Sequence, residues 1–169
     1  MRYVKPESYE AASALLAAED GIARILTGGT DVLVMLKAEM VEPDLMVDLK
    51  HLPGMHDITA EDGGFRIGAA VSSAELGEHA ALKAMWPGVV EGAELIGSTQ
   101  VQNRATIVGN LCTASPAADS VPGLVTANAV ARLHGPHGTR DVPVVEIPVS
   151  PGKTMLAKGE FITSIYLPA

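Results

Sequence analysis

The residues best suited to chemistry lie between Ile96 and Asp119, IGSTQVQNRATIVGNLCTASPAAD, a stretch rich in Gly, Ser, Thr and Asn within an otherwise apolar chain. Gly109 and Asn110 read as a turn where backbone can approach a ligand, because glycine reaches conformations closed to other residues. Thr113-Ala114-Ser115-Pro116 reads as the start of a helix, with Ser115 as N-cap and Pro116 at the first helical position. A glycine turn beside a helix N-terminus leaves amide N–H groups unpartnered, and such a place suits phosphate. Asp119, four residues after Ser115, has two readings. It favours the helix N-terminus electrostatically, or it accepts hydrogen bonds from a ligand hydroxyl.

A second candidate is Thr27-Gly28-Gly29-Thr30-Asp31. It is either an ordinary tight turn or a loop that wraps a phosphate with backbone N–H groups and the Thr30 hydroxyl. No G-x-G-x-x-G fingerprint occurs. Pro151-Gly152-Lys153-Thr154 has the ending of a P-loop, but the first glycine of that motif falls on Ile147, so the P-loop reading fails and Lys153 is structural or solvated. His134 and His137 flank a loop with no third ligand nearby and read as exposed hairpin histidines; His51, His56 and His79 carry no metal-ligand spacing. Cys112, in an apolar context, reads as a buried, inert thiol. Trp86 reads as core. There is no G-x-S-x-G and no carboxylate pair to support hydrolysis. Two backbone phosphate sites in one chain point to a ligand with two phosphates, hence a dinucleotide.

These sites need positioning elements. Ser8 to Ala18 reads as a helix with Tyr9, Ala12, Leu15 and Leu16 on one face and Gly21 after its end. A short strand, Ala23 to Leu26, runs into the first glycine loop, and Val32 to Lys37 is a short helix beyond it. Leu45 to Leu49 reads as a strand and His51 to Met55 as a turn. Asp62-Gly63-Gly64 has hairpin chemistry before a strand at Phe65 to Gly68. Ser72 and Glu75 have capping-box spacing, so a helix starts at Ser73. Ala81 to Leu95 is helical in period, broken at Pro87-Gly88. Pro122 divides the helix expected from Ser115 into two short helices or kinks it. Ala129 to His134 and Thr139 to Pro143 form a hairpin about Gly135-Pro136-His137-Gly138, and the last strand is Phe161 to Leu167. The fold class is α+β, with two small lobes, residues 1–55 and 56–169.

At 169 residues the chain is long enough to bury a core. Hydrophobic residues make up 47%, but no run approaches the roughly 18 apolar residues of a membrane span. The N-terminus lacks the apolar segment of a signal peptide, and a soluble, cytoplasmic protein is expected. A net charge of −8 without a basic stripe argues against a nucleic-acid partner. The single cysteine excludes a disulfide framework and an iron–sulfur cluster held by this chain alone.

Three segments resemble one family in the same order. Ile25 to Lys37, ILTGGTDVLVMLK, is similar to the first flavin loop of the FAD-binding medium subunits of molybdenum hydroxylases, the relatives of xanthine dehydrogenase and carbon monoxide dehydrogenase. Ile96 to Leu124 resembles their second loop, and Val142 to Pro168 the segment that follows. The resemblance implies a two-lobed α+β FAD-binding domain of the vanillyl-alcohol oxidase (PCMH) type, with FAD extended between the lobes and bound non-covalently. Carried over by position, Ile25, Leu26, Thr27, Gly28, Gly29, Thr30, Asp31 and Val32 surround the pyrophosphate. Thr106, Ile107, Val108, Gly109 and Asn110, with Thr113, form the second loop on the pyrophosphate and flavin side. Asp119 places a carboxylate on the cofactor, Ile162 makes an apolar backbone contact, and Ile96 packs by the isoalloxazine ring. The chain departs from the family at Val108, where Gly is usual, which sets the second loop slightly further from the phosphates. Gln102 and Ala105 replace the usual Arg and Gly. The sequence stops at Ala169, where the family continues into a C-terminal domain.

The function the resemblance implies is electron transfer. A large molybdopterin subunit hydroxylates the substrate, a small subunit relays electrons through 2Fe–2S clusters to the FAD of this chain, and NAD+, a quinone or another acceptor takes them. Molybdopterin and iron–sulfur clusters are expected on partner subunits only, and no catalytic side chain and no metal ligand is expected here. Two alternatives stand beside it: a stand-alone flavin oxidoreductase of the same superfamily, against which the flavin motifs offer no acid–base residue, and a non-catalytic assembly module that has lost FAD.

Overall fold

The computed structural model describes all 169 residues. Its first part is a small parallel sheet built from β1 (Arg2–Val4), β2 (Ala23–Leu26) and β3 (Leu45–Asp48) in the order β1-β3-β2. β3 is the central strand and every residue in it is buried, as expected of a strand flanked on both edges. Helix α1 (Tyr9–Ala18) begins where Ser8 accepts a hydrogen bond from the Ala11 amide, and helix α2 (Val32–Lys37) follows β2.

The second part is an antiparallel five-stranded sheet of β4 (Ile58–Glu61), β5 (Gly64–Gly68), β6 (Val130–Gly135), β7 (Gly138–Pro143) and β10 (Phe161–Leu167), in the order β4-β5-β10-β6-β7. Six short helices intervene between β5 and β6: α3 (Ser73–Glu78), α4 (Ala80–Met85), α5 (Pro87–Glu94), α6 (Thr99–Gln102), α7 (Ile107–Thr113) and α8 (Val121–Thr126). Strands β8 (Pro148–Ser150) and β9 (Lys153–Thr154) form a minor hairpin. The sheets share one core, with Ala12, Leu16, Leu45 and Val47 in the same cluster as Ile67, Leu133, Phe161 and Ile165.

The architecture is α+β, and most elements fall where local signals place them. The capping box at Ser72 is complete, with the Glu75 carboxylate accepting from the Ser72 amide and the Ser72 hydroxyl from the Glu75 amide. Pro87 opens α5, which breaks the helical period there. Trp86 is half-buried against the core and donates its indole N–H to the Pro168 carbonyl at 2.7 Å.

Four expectations are corrected. Gly109 and Asn110 are not a turn but the middle of α7, because Thr106 caps that helix. No helix starts at Ser115. The chain leaves α7 through Ala114 in the left-handed region (φ 48°), and the Ser115 hydroxyl accepts from the Ala117 amide at 3.2 Å, closing a local turn instead. Pro122 lies in the first turn of α8, where a missing amide hydrogen costs nothing. His134 is also not exposed: it packs against the Tyr9 and Phe161 rings, at centroid distances of 5.6 and 5.8 Å, while His137 remains in solvent. No helix is long and apolar enough to cross a membrane.

Candidate functional site

The first glycine loop leaves the carboxyl end of β2, a place where parallel sheets commonly bind ligands. Leu26 is in register with Asp48, and the Leu49 amide donates to the Leu26 carbonyl at 3.1 Å, so the sheet holds the start of the loop. Beyond that point hydrogen bonding stops. The amides of Thr27, Gly28, Gly29, Thr30, Asp31 and Val32 donate to no acceptor in the protein, and the next pairing is Leu33 N–H to the Gly29 carbonyl at 3.1 Å. Gly29 makes the bend at φ +80°, a conformation that costs a side-chain-bearing residue about 1–2 kcal/mol. A continuous run of partially exposed amides needs acceptors, and a diphosphate supplies them without any titrating group.

The second loop repeats the chemistry in a different frame. Thr106 is the N-cap of α7: its hydroxyl accepts from the Gly109 amide at 2.9 Å and its carbonyl from the Asn110 amide at 3.0 Å. The amides of Thr106, Ile107 and Val108 have no acceptor. The Val108 side chain is buried in the core, so the bulk that replaces the family's glycine is taken up by protein packing. Asn110 is a structural tie: its side-chain carbonyl accepts from both the Ser120 amide (3.2 Å) and the Ser120 hydroxyl (2.7 Å).

The fold brings these two loops against each other. A Cβ at Gly28 would lie 2.3 Å from the Arg104 carbonyl oxygen, and one at Gly109 would lie 3.9 Å from the Thr27 hydroxyl. The Thr113 hydroxyl sits 2.7 Å from the Asp31 carboxylate and 3.0 Å from the Gly109 carbonyl, joining the end of α7 to the start of α2. Asp31 is therefore a clasp between the loops, and its own helix has no side-chain cap. The two open amide tracts therefore lie side by side, and their free N–H donors fit the diphosphate of FAD.

The remaining expected residues are placed less directly. Ile25 and Leu26 are half-buried in β2 and support the loop from below. Asp119 is exposed, makes no hydrogen bond or ion pair, and is delivered by the Asn110–Ser120 tie. Its helix-capping role at Ser115 disappears with that helix. Ile96 is half-buried in the turn after α5, and Ile162 is buried where β10 pairs with β6 alone; no hydrogen bond ties either to the loops. Gln102 donates its side-chain amide to the Glu94 carbonyl, and the Ala105 carbonyl accepts from the Ser73 amide at 2.8 Å, so both departures from the family pattern serve packing. Burial pushes the Cys112 thiol up to about 12, which keeps it protonated and unreactive at neutral pH. No group of three or more His, Cys, Asp or Glu residues is placed to hold a metal.

Sequence reasoning missed the cleft beside the first loop. It has a volume of about 330 Å³ and is lined by Thr27 and Arg104 from the two loops together with Lys50, His56, Ser72 and Glu78, among others. Lys50 donates from Nζ to the buried Asp48 carboxylate at 2.7 Å, and the Tyr3 hydroxyl donates to the same group. Burial works to raise the Asp48 pKa, but the hydrogen bonds from Lys50 and Tyr3 outweigh it and hold the carboxyl below its usual range. The signal for Lys50 was its position two residues past Asp48, at the end of a strand parallel to the one that feeds the glycine loop.

The family described as "FAD binding domain in molybdopterin dehydrogenase" matches residues 1–169. The xanthine dehydrogenase FAD-binding subunit of Escherichia coli O157:H7 is 34% identical over 154 residues, covering 90% of this chain and 53% of that protein. The carbon monoxide dehydrogenase medium chain of Hydrogenophaga pseudoflava is 31% identical over 167 residues, covering 99% of this chain and 58% of that protein. In structure, a chain of reconstituted CO dehydrogenase from Oligotropha carboxidovorans superposes with a TM-score of 0.93 at 29% identity, over 100% of this chain and 59% of that one. This chain therefore spans little more than half the length of these relatives and shares their architecture throughout.

Proposed function

We propose that this chain, which belongs to the family of FAD-binding domains in molybdopterin dehydrogenases and has its two-lobed α+β fold, carries the FAD of a molybdenum hydroxylase. In this reading it is the electron-transfer flavoprotein part of a cytoplasmic xanthine- or CO-dehydrogenase-like complex. Its partners are a molybdopterin-binding large subunit and a small subunit with 2Fe–2S clusters, whose electrons leave by way of FAD for NAD+, a quinone or another acceptor. The two lobes of this reading are residues 1–55, which contain the parallel sheet, and residues 56–169, which contain the antiparallel sheet; the strand order supports that division.

The observation that carries the reading is the pair of open amide tracts, Thr27 to Val32 and Thr106 to Val108, held side by side. Bound FAD supplies the redox chemistry; the chain supplies binding, orientation and electrostatics. Gly28, Gly29 and Thr30 hold the diphosphate through their amides, Gly109 allows close approach at the second loop, and Thr113 fixes the clasp. Ile25, Leu26 and Val32 frame the first loop. Asp119 offers its free carboxylate to a cofactor hydroxyl or ring N–H, and Ile96 and Ile162 supply apolar contact further along the cofactor.

The test is direct. The purified chain, stripped of ligand and titrated with FAD, is expected to take up one equivalent non-covalently, followed by flavin absorbance after gel filtration and by release on acid precipitation. A chain that stays colourless with added FAD, both alone and in the presence of its partner subunits, overturns the proposal.

A further inference from the structure

We infer that Lys50, held in place by Asp48 and Tyr3, is a positioning cation for the diphosphate of the cofactor, in the cleft beside the first glycine loop. The inference rests on the FAD reading above and adds a side chain outside the resemblance motifs.

The placement follows from strand register. β2 and β3 run parallel with Leu26 opposite Asp48, so the segments that carry Thr27 and Lys50 leave the sheet from the same carboxyl edge. Lys50 and Thr27 then line the same cleft, with Arg104 of the second loop. Of the ten residues around that cleft only two are apolar. Such walls suit phosphate and sugar-like hydroxyls and offer no flat apolar surface to either ring of FAD, which points to the diphosphate part of the cofactor here.

The charge balance calls for a cation. Amides hold an anion through dipoles but bring no net charge, while a diphosphate adds negative charge to a loop that already contains Asp31. Lys50 is pre-set for the role. Asp48 is only 2% exposed and receives the Tyr3 hydroxyl, the Lys50 amide (3.1 Å) and Lys50 Nζ (2.7 Å), so the lysine stem is locked. An ammonium has three N–H donors, and Asp48 takes one. Two donors remain, and Lys50 lines the cleft and is 19% exposed. Among the other lining residues Glu75 is occupied by the Ser72 amide, leaving Glu78 as a carboxylate without a partner, suited to hydroxyl groups rather than phosphate. The cleft therefore carries cationic groups at Lys50 and Arg104 and a free carboxylate at Glu78, a set that suits a phosphate attached to a polyhydroxyl chain.

The experiment measures FAD affinity and the ability of ADP to compete with FAD for the full chain, in wild type, Lys50→Met and Lys50→Arg, across a salt series. Lys50→Met is expected to weaken FAD about tenfold and ADP by the same factor, the size of one charge-assisted hydrogen bond, and to flatten the salt dependence. Lys50→Arg restores most of the affinity, which a purely structural role would not require. Because Lys50→Met leaves Asp48 buried without its partner, the double variant Asp48→Asn/Lys50→Met, which removes both charges, serves if the single variant does not fold; it is expected to show the same loss. A folded variant that binds FAD and ADP as wild type does, or that loses FAD while ADP competition is unchanged, overturns the inference alone. Failure of the wild-type chain to bind FAD overturns the functional reading and this inference with it.

Discussion

The two glycine-bearing loops offer open amides from opposite structural positions. The first, Thr27 to Val32, gives none of its amides to the protein, and the helix it leads into has no buried residue. The second, Thr106 to Asn110, spends two amides on its own N-cap and sets Ile107, Val108 and Leu111 into the core. One loop is an attachment that the fold tolerates; the other is a load on which part of the fold depends. Ligand binding and stability should therefore separate at the first loop and travel together at the second, except where the loops touch.

Their point of contact carries the largest expected effect. Gly28 would place a Cβ 2.3 Å from the Arg104 carbonyl oxygen and 3.2 Å from the Ala105 Cα, and backbone cannot yield as a flexible side chain does. Gly28→Val is expected to abolish FAD binding and cost about 3 kcal/mol, seen as a fall in melting temperature on the order of 10 °C. Gly29→Val meets the mobile ends of Leu26 and Leu33, so its cost is the smaller one of backbone strain at positive φ. A Gly28→Val protein that melts like wild type would mean the loops are not in contact.

Thr106→Ala probes the second loop and ranks next. Losing the hydroxyl that accepts from the Gly109 amide is expected to cost about 1 kcal/mol, or roughly 3 °C in melting temperature, and to weaken FAD binding because the free amides beside it lose their alignment. Thr106→Ser retains the cap and both properties. The matching change in the first loop, Thr30→Ala, removes a hydroxyl with no partner in the protein and leaves thermal stability within about 0.5 kcal/mol. Equal thermal costs at Thr106 and Thr30, measured by calorimetry, would erase the distinction between the loops.

The same contrast explains what was legible in the sequence. The first loop and its strand could be read because each signal is local: an apolar run, two glycines, a short apolar helix. The capping box at Ser72 and the strand from Phe161 to Leu167 are local in the same sense. The second loop was misread in detail because its structure is decided by distant partners. Gly109 and Asn110 have turn propensity, but Thr106 caps the helix in front of them and Ser120 holds the Asn110 side chain from ten residues away. Ser115 had an N-cap's composition and used its hydroxyl for a local turn. Lys50 is illegible in the sequence for a related reason: only the parallel register between strands separated in sequence brings it to the same cleft as Thr27. His134 looked like a hairpin tip residue until α1 brought Tyr9 over it.

Asp119 gives the smallest expected effect on the fold and the cleanest separation of the two properties. It belongs by sequence to the second loop, yet it behaves as the first loop does: the residue is exposed and its carboxylate has no hydrogen bond or ion pair within the protein. Ser120, its neighbour, is fully buried and holds the segment through Asn110, so truncating Asp119 leaves that anchor in place. Asp119→Ala should therefore change unfolding free energy by less than about 0.5 kcal/mol while weakening FAD about tenfold, the worth of a charge-assisted hydrogen bond. Asp119→Asn keeps one acceptor oxygen without the charge and should fall between. If melting temperature and FAD affinity decline together in Asp119→Ala, the carboxylate is serving the N-terminus of α8; if affinity alone declines, the second loop contains one residue kept for the ligand among neighbours kept for the fold.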